Sequence, residues 1–115
     1  MKILVIDDEA FIRQIIQKFA SIKKIDFQGI ESSLDLKNES FDYDLYFVDF
    51  SIDEIDGKHP VNYIKEKSSD AKIVLMSGYN KEEVNSEILV DITEFLFKPD
   101  LGDKLLEILS KYIDN

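Results

Sequence analysis

Short apolar runs alternate with amphipathic stretches along the whole chain. Most of these runs are nearly continuous and rich in β-branched or aromatic residues, which is typical of strands that are buried on both faces. A weaker and shorter run, Phe27–Ile30, lies between the first and the second of them. The pattern therefore predicts five strands, which are Lys2–Asp7, Phe27–Ile30, Leu45–Asp49, Lys72–Ser77 and Thr93–Phe97.

The stretches between the strands carry helical periodicity. An apolar stripe formed by Phe11, Ile12, Ile15, Ile16 and Phe19 predicts a helix from Glu9 to about Lys23. Pro60 suits the first turn of a further helix, whose inward positions are Val61, Tyr63 and Ile64. The closing helix has its apolar positions at Leu101, Leu105, Leu106, Leu109, Tyr112 and Ile113. The helix that starts at Pro60 is predicted to end before Ser68, and the closing helix to run from Leu101 to about Asp114. Two further helices are predicted at Ser33–Asn38 and Lys81–Leu89.

Strands that alternate with helices in this way predict an α/β fold. Its core is a doubly wound five-stranded parallel sheet, covered by helices on both faces and joined by right-handed crossovers. We find no internal repeat, low-complexity tract or linker, so residues 1–115 are expected to form a single domain with no effector domain. In folds of this type, the loops at the carboxyl ends of the strands build the functional site.

The charge of the chain excludes some partners. Acidic residues outnumber basic ones by 24 to 14, and the net charge is −10. Such a field repels nucleic acid and anionic membranes, so direct binding to either is not expected. There is no cysteine, which excludes a disulfide framework or a thiolate metal site. The amino terminus lacks a signal peptide and no apolar run approaches membrane length, so a cytoplasmic location is expected.

Polar residues terminate four of the predicted strands: Asp7-Asp8, Asp49, Ser77 and Lys98. Topology places them around one edge of the sheet. Two carboxylates about 4 Å apart repel by roughly 4 kcal/mol at an effective dielectric near 20, so a raised pKa or a cation must offset the repulsion. Three aspartate oxygens with room for water suit Mg²⁺, because this ion prefers oxygen ligands and keeps part of its hydration shell.

A partly hydrated Mg²⁺ on few carboxylates is the arrangement used for phosphoryl transfer. Asp49 ends the middle strand and is the natural nucleophile. Lys98 supplies a second positive charge, and Ser77 supplies a hydrogen-bond donor for a phosphoryl oxygen.

Four sequence pieces carry a family resemblance. They are Ile6-Asp7-Asp8-Glu9, Val48-Asp49 with Asp56-Gly57 downstream, Leu75-Met76-Ser77-Gly78, and Phe97-Lys98-Pro99. Each piece is weak alone, but their order and their positions at strand ends resemble the response-regulator receiver family. The resemblance spans the whole chain and implies the strand order 2-1-3-4-5 of a flavodoxin-like three-layer sandwich.

The resemblance also implies a chemistry. Asp49 would accept a phosphoryl group from the phosphohistidine of a histidine kinase or phosphotransfer protein, so the chain would be no enzyme beyond its own phosphorylation and dephosphorylation. Ser77 and Lys98 would contact that group, and a cis Lys98–Pro99 bond would aim the lysine. The implied Mg²⁺ ligands are Asp7, Asp8, Asp49 and the backbone carbonyl of Ser51.

A conformational switch is implied as well. Ser77 would move toward the phosphoryl group, and Phe95, three residues before the lysine, would swing into the vacated space. This movement would repack the face formed by the fourth predicted helix, the fifth strand and the fifth helix. An unidentified downstream protein would bind that face, and the chain would be a monomer or a phosphorylation-dependent dimer.

The sequence departs from the family in the loop after Asp49, where Ile52-Asp53 replaces the usual Met-Pro pair and is expected to leave the loop less stiff.

Two alternative functions stay open. A pseudo-receiver would keep the fold and bind partners without phosphorylation. A phosphatase of the haloacid-dehalogenase type needs an acid two residues after its nucleophile, but Ser51 stands there, and its late aspartate pair is missing.

Overall fold

The computed structural model describes residues 1–113 and forms a five-stranded sheet with the order β2-β1-β3-β4-β5. All four neighbouring strand pairs are parallel, which confirms the doubly wound topology and the expected strand order. The interior positions of β1, β3 and β4 follow from their sequence, since each of these strands is apolar on both faces. The strands are β1 Lys2–Ile6, β2 Asp26–Ile30, β3 Leu45–Asp49, β4 Ile73–Ser77 and β5 Glu94–Phe97.

Helices and 3-10 turns connect the strands across both faces of the sheet. The α-helices are α1 Ala10–Ile22, α2 Pro60–Lys67, α3 Ser86–Leu89 and α4 Leu101–Tyr112. The 3-10 turns are Ser33–Asn38, Lys81–Glu83 and Lys98–Asp100. The predicted end of the last helix, near Asp114, lies outside the described residues. None of the helices within residues 1–113 is long and apolar enough to cross a membrane.

The core consists of two apolar clusters, one on each face of the sheet. Successive strand residues point to opposite faces, so Val5 and Phe47 join the cluster under α1 and α4, whereas Ile6 and Val48 join the cluster under α2 and α3. We call these the α1–α4 cluster and the α2–α3 cluster. Each residue of β3 is buried, so the central strand contributes to both clusters along its whole length.

Two exposed side chains correct the predicted helix stripes. Phe11 was expected inside but is 67% exposed, and Leu106 in α4 is 44% exposed. In α1, the buried line is instead Ile12, Ile16 and Ala20, spaced four residues apart. Ile15 and Phe19 pack, partly buried, beside this line, whereas Phe11 lies about 100° around the helix from Ile12 and outside it.

The predicted helix Lys81–Leu89 is wrong as a single element. Its residues form a 3-10 turn and the one-turn helix α3, separated by the extended residues Val84 and Asn85. Val84 is 5% exposed and packs into the α2–α3 cluster from this extended segment. The side chain of Asn85 accepts hydrogen bonds from the amides of Glu87 and Ile88, and so starts α3 afresh.

The expected cis bond before Pro99 is also wrong, since all peptide bonds between described residues are trans. Pro99 lies in the 3-10 turn Lys98–Asp100, which leads directly into α4. The fixed φ of proline suits such a helical first turn, so the chain continues into α4 without a cis bond.

The loop between β3 and α2 contains a two-residue hairpin turn. Ile55 and Lys58 exchange backbone hydrogen bonds of 2.8 and 3.0 Å, and the two residues between them, Asp56 and Gly57, have φ angles of 52° and 77°. Positive φ at both central positions is typical of a type I′ turn. Ile55 is 1% exposed, so this turn is anchored in the α2–α3 cluster.

Candidate metal and phosphoacceptor site

Three aspartates meet at the carboxyl edge of the sheet, as the sequence predicts. Ile6 of β1 is paired with Val48 of β3, so the residues that follow, Asp7 and Asp49, lie side by side. One carboxylate oxygen from each of Asp7, Asp8 and Asp49 lies within 4.8 Å of the other two. Asp7 and Asp49 are buried, whereas Asp8 is exposed at the mouth of the cluster.

Asp7 has one satisfied and one unsatisfied oxygen. Its Oδ1 accepts a hydrogen bond of 2.9 Å from the amide of Glu9. Its Oδ2 is buried and has no hydrogen-bond partner among the described residues. The ammonium of Lys98 lies 3.0 Å from Oδ2, close enough for an ion pair but without the angle of a hydrogen bond.

Burial raises the pKa of Asp7, and the nearby charge of Asp49 raises it further, while the Glu9 amide and Lys98 act in the opposite direction. A buried carboxylate oxygen without a hydrogen bond is costly. A cation among the three carboxylates would remove that cost.

Asp49 is held by its Oδ1. This oxygen lies 3.1 Å from Nζ of Lys98 and accepts a hydrogen bond of 3.3 Å from the amide of Ser51. No described residue donates a hydrogen bond to its other oxygen, Oδ2. One oxygen is therefore fixed while the second keeps its lone pairs available for a cation or for an incoming electrophile.

Lys98 reaches across the carboxyl edge from the end of β5. Its Nζ lies within 3.1 Å of carboxylate oxygens of Asp7, Glu9 and Asp49. Burial of the ammonium favours the neutral amine, but its close contacts with the carboxylates of Glu9 and Asp7 and the charge of Asp49 prevail and raise the pKa of Lys98. The lysine is therefore a permanent positive charge in the acidic pocket.

The 2.6 Å contact between Glu9 and Lys98 has no counterpart in the sequence prediction. Glu9 belongs to the Asp-Asp-Glu run, which was the available signal, but nothing in the sequence shows that its carboxylate turns toward Lys98. The guanidinium of Arg13, which donates a hydrogen bond of 2.7 Å to the carbonyl of Asp7, was likewise not foreseen.

Ser77 and Phe95 occupy the positions expected from the strands. Ser77 ends β4, between the strands that carry Asp49 and Lys98, and it is completely buried. Its Oγ accepts a hydrogen bond of 2.9 Å from the amide of Tyr79. Phe95 lies on β5 opposite Leu75 and packs, partly buried, against the α2–α3 cluster.

The residues present fit a magnesium ion. The donor set is all oxygen, and the buried Oδ2 of Asp7 lacks a hydrogen bond. A cavity of about 270 Å³ lies against Asp8, Ser51 and Asp53, which leaves room for the waters that Mg²⁺ retains.

Replacing Asp8 by asparagine tests this fit. The change removes one negative charge from the cluster, and Asp8 has no cationic partner among the described residues. We expect the metal-free protein to gain at most about 1 kcal/mol of stability in urea unfolding, because the repulsion involves an exposed group. We expect Mg²⁺ affinity, measured by titration calorimetry, to fall by about tenfold or more, because a ligand is lost. Asp70→Asn, an exposed change in the loop after α2, is the matched control; equal Mg²⁺ affinity in both variants would contradict the assignment.

Comparison with known proteins gives a consistent result. The family model of the response regulator receiver domain matches residues 3–110. The chemotaxis protein CheY of Listeria monocytogenes is 28% identical over 117 residues, covering 96% of this chain and 97% of that protein. CheY of Bacillus subtilis is 26% identical, with 98% of each chain covered.

Solved structures show the same likeness. The response regulator TrrA of Thermotoga maritima, determined with Mg²⁺ and beryllofluoride, has a TM-score of 0.80 and 26% identity, covering 97% of this chain and 98% of that one. A two-component response regulator of Clostridium difficile has a TM-score of 0.85 at 22% identity and covers 100% of this chain and 97% of that one.

The fold and the acidic edge place the chain in the flavodoxin-like class of α/β proteins, with its site at the carboxyl ends of the strands. Within that class, the chain belongs to the response regulator receiver domain family of two-component signalling. Receiver domains are signalling modules rather than classical enzymes.

Proposed function

We propose that Asp49 of this receiver domain accepts a phosphoryl group from the phosphohistidine of a histidine kinase or phosphotransfer protein. The observation that carries the proposal is the state of the Asp49 carboxylate. It is 3% exposed, its Oδ1 is held by Lys98 and by the Ser51 amide, and its Oδ2 has no hydrogen bond within residues 1–113. A nucleophile needs this combination of fixed orientation and an available lone pair.

In the proposed step, an oxygen of Asp49 forms a bond to phosphorus while the bond from phosphorus to the donor's imidazole nitrogen breaks. The imidazole leaves with the electron pair and takes up a proton. Mg²⁺, when bound, neutralises charge on the phosphoryl oxygens. Asp7, Asp8, Asp49 and the carbonyl of Ser51 would hold this ion.

Lys98 and Ser77 would receive the transferred group. The ammonium of Lys98 already contacts Oδ1 of Asp49 and needs little movement to reach a phosphoryl oxygen. The hydroxyl of Ser77 can donate its own hydrogen while its oxygen accepts from Tyr79, so it can serve a phosphoryl oxygen as well.

The response to phosphorylation is proposed to pass through Ser77 to Phe95. Ser77 lies on β4 and Phe95 on the neighbouring strand β5. Phe95 packs against the α2–α3 cluster, which includes Val84 and Ile88. A movement of Ser77 toward Asp49 would change the space beside Phe95 and repack the face of α3, β5 and α4. We propose that a downstream protein reads this face in the cytoplasm, without direct contact to nucleic acid or membrane.

The test is incubation of the whole chain with acetyl phosphate and Mg²⁺. We expect the native chain to gain the mass of one phosphoryl group, and Asp49→Asn to gain none, because the amide is not a nucleophile. Asp70→Asn, an exposed change in the loop after α2, is the control and should react like the native chain.

Beryllofluoride with Mg²⁺ gives a second readout through the backbone amide resonances. The native chain should show shifts at Asp49, Ser77 and Phe95, and Asp49→Asn should not. If the native chain neither gains mass nor shifts, the chain is a pseudo-receiver. If Asp49→Asn is phosphorylated as readily as the native chain, the acceptor is another residue.

A further inference from the structure

His59 is the only histidine of the chain and makes two directed hydrogen bonds. Its Nδ1 lies 3.1 Å from the amide nitrogen of Val61 and caps the start of α2. Its Nε2 lies 2.9 Å from the carbonyl oxygen of Phe50. The amide of Val61 can only donate, so Nδ1 carries the lone pair and Nε2 carries the hydrogen that it donates to Phe50.

The carbonyl of Phe50 belongs to the same planar peptide group as the amide of Ser51. That amide donates the 3.3 Å hydrogen bond to Oδ1 of Asp49. One rigid peptide group therefore accepts a hydrogen bond from His59 on one side and donates one to the Asp49 carboxylate on the other.

Further contacts of Phe50 hold the same segment. The Phe50 and His59 rings are stacked, with centroids 5.8 Å apart and planes inclined by 28°. The amide of Phe50 donates to the carbonyl of Met76 at 2.8 Å, which fixes the other side of this residue to β4. Burial lowers the pKa of His59, against the opposing effects of the Phe50 carbonyl and the charges of Asp49 and Glu54, so the ring is neutral at pH 7.

We infer that His59 is a positioning residue for Asp49, which it orients through the peptide group between Phe50 and Ser51. The inference rests on the proposed function, since it concerns the orientation of the proposed nucleophile. The donated hydrogen bond fixes the plane of the peptide group and polarises it, which strengthens the bond from the Ser51 amide to Asp49.

Two substitutions separate the two bonds of His59. In His59→Asn the side-chain oxygen can occupy the position of Nδ1 and cap α2, but nothing replaces the Nε2 donor. In His59→Gln the side-chain nitrogen can occupy the position of Nε2 and donate to Phe50, but the cap on Val61 is lost. A purely structural role of His59 as a cap predicts damage in the glutamine variant only.

The experiment compares the native chain with both variants in three measurements. These are the rate of phosphorylation by acetyl phosphate with Mg²⁺, the amide proton shift of Ser51, and the melting temperature. For His59→Asn we expect a phosphorylation rate about fivefold lower, which corresponds to the loss of one oriented hydrogen bond. We also expect an upfield shift of the Ser51 amide proton. For His59→Gln we expect a rate within about twofold of native, a retained Ser51 shift and a lower melting temperature.

The inference is overturned if His59→Asn reacts at the native rate with the Ser51 amide unchanged. It is also overturned if the rates of the two variants simply follow their melting temperatures. These outcomes leave the proposed function intact, because the native chain still reacts. A native chain that takes no phosphoryl group contradicts the proposed function instead, and the Ser51 shift then still decides whether His59 controls the peptide group.

Discussion

Replacing Lys98 by methionine should lower the free energy of unfolding of the metal-free protein by about 2–4 kcal/mol, somewhat below the usual cost of breaking a buried ion pair. Methionine keeps the length and apolar stem of the lysine but removes its charge. Asp7 and Asp49 are then left adjacent, buried and without a cation. Part of the cost is avoided because Asp7, whose pKa is already raised by burial, can take up a proton. Urea unfolding followed by circular dichroism at pH 7 measures the effect.

Lys104→Met is the matched control for this experiment. Lys104 is exposed and lies 4.0 Å from Glu107, so its loss should cost less than about 0.5 kcal/mol. Adding Mg²⁺ should restore part of the stability of Lys98→Met, because a bound divalent cation supplies the missing positive charge. Equal stability of the two methionine variants without Mg²⁺ would show that Lys98 does not neutralise the buried acids.

Replacing Ile55 by alanine should cost about 2–4 kcal/mol of stability, the usual range for emptying a buried isoleucine site. Ile55 is 1% exposed and is the residue that fixes the hairpin turn of the β3–α2 loop to the α2–α3 cluster. Ile52 of the same loop is buried in this cluster as well, so the two isoleucines together attach the loop to the core. Urea unfolding measures the loss, and faster hydrogen exchange at the amides of Ile55 and Lys58 reports loosening of the turn.

Ile22→Ala is the control, because the same side chain is 67% exposed at the end of α1. It should change stability by no more than about 0.5 kcal/mol. If Ile55→Ala unfolds like Ile22→Ala, the loop has no anchor in the core. If Ile55→Ala loses stability while amide exchange at Lys58 stays slow, the turn is held by its own hydrogen bonds.

The sheet and the acidic edge could be predicted from the sequence because both depend on patterns along the backbone. A continuous apolar run is buried on both faces, and topology then places its terminal residue at the carboxyl edge. For this reason, Asp7, Asp49, Ser77 and Lys98 lie where the sequence puts them. Their roles in phosphoryl transfer remain predictions that the experiments above address.

The parts that were missed depend on tertiary contacts between side chains. Val84 is extended and packs into the α2–α3 cluster, although helical periodicity continues through that position. The exposure of Phe11 reflects which side of α1 meets the strands. The ring of His59 is partly buried against Phe50, and this contact between residues nine positions apart leaves no periodic signal in the sequence.

The division of the core into two clusters has a consequence for how the chain folds as it is synthesised. Among the described residues, the α2–α3 cluster contains none later than Phe95 of β5, so it can close once the strands have left the ribosome. The α1–α4 cluster needs Leu105 and Leu109, which are synthesised after every residue of the α2–α3 cluster. Until α4 arrives, Ile3, Val5 and Phe47 have only α1 to cover them. The nascent domain therefore has one face of the sheet packed and the other still exposing apolar side chains. The exposed apolar face is the surface to which chaperones would bind.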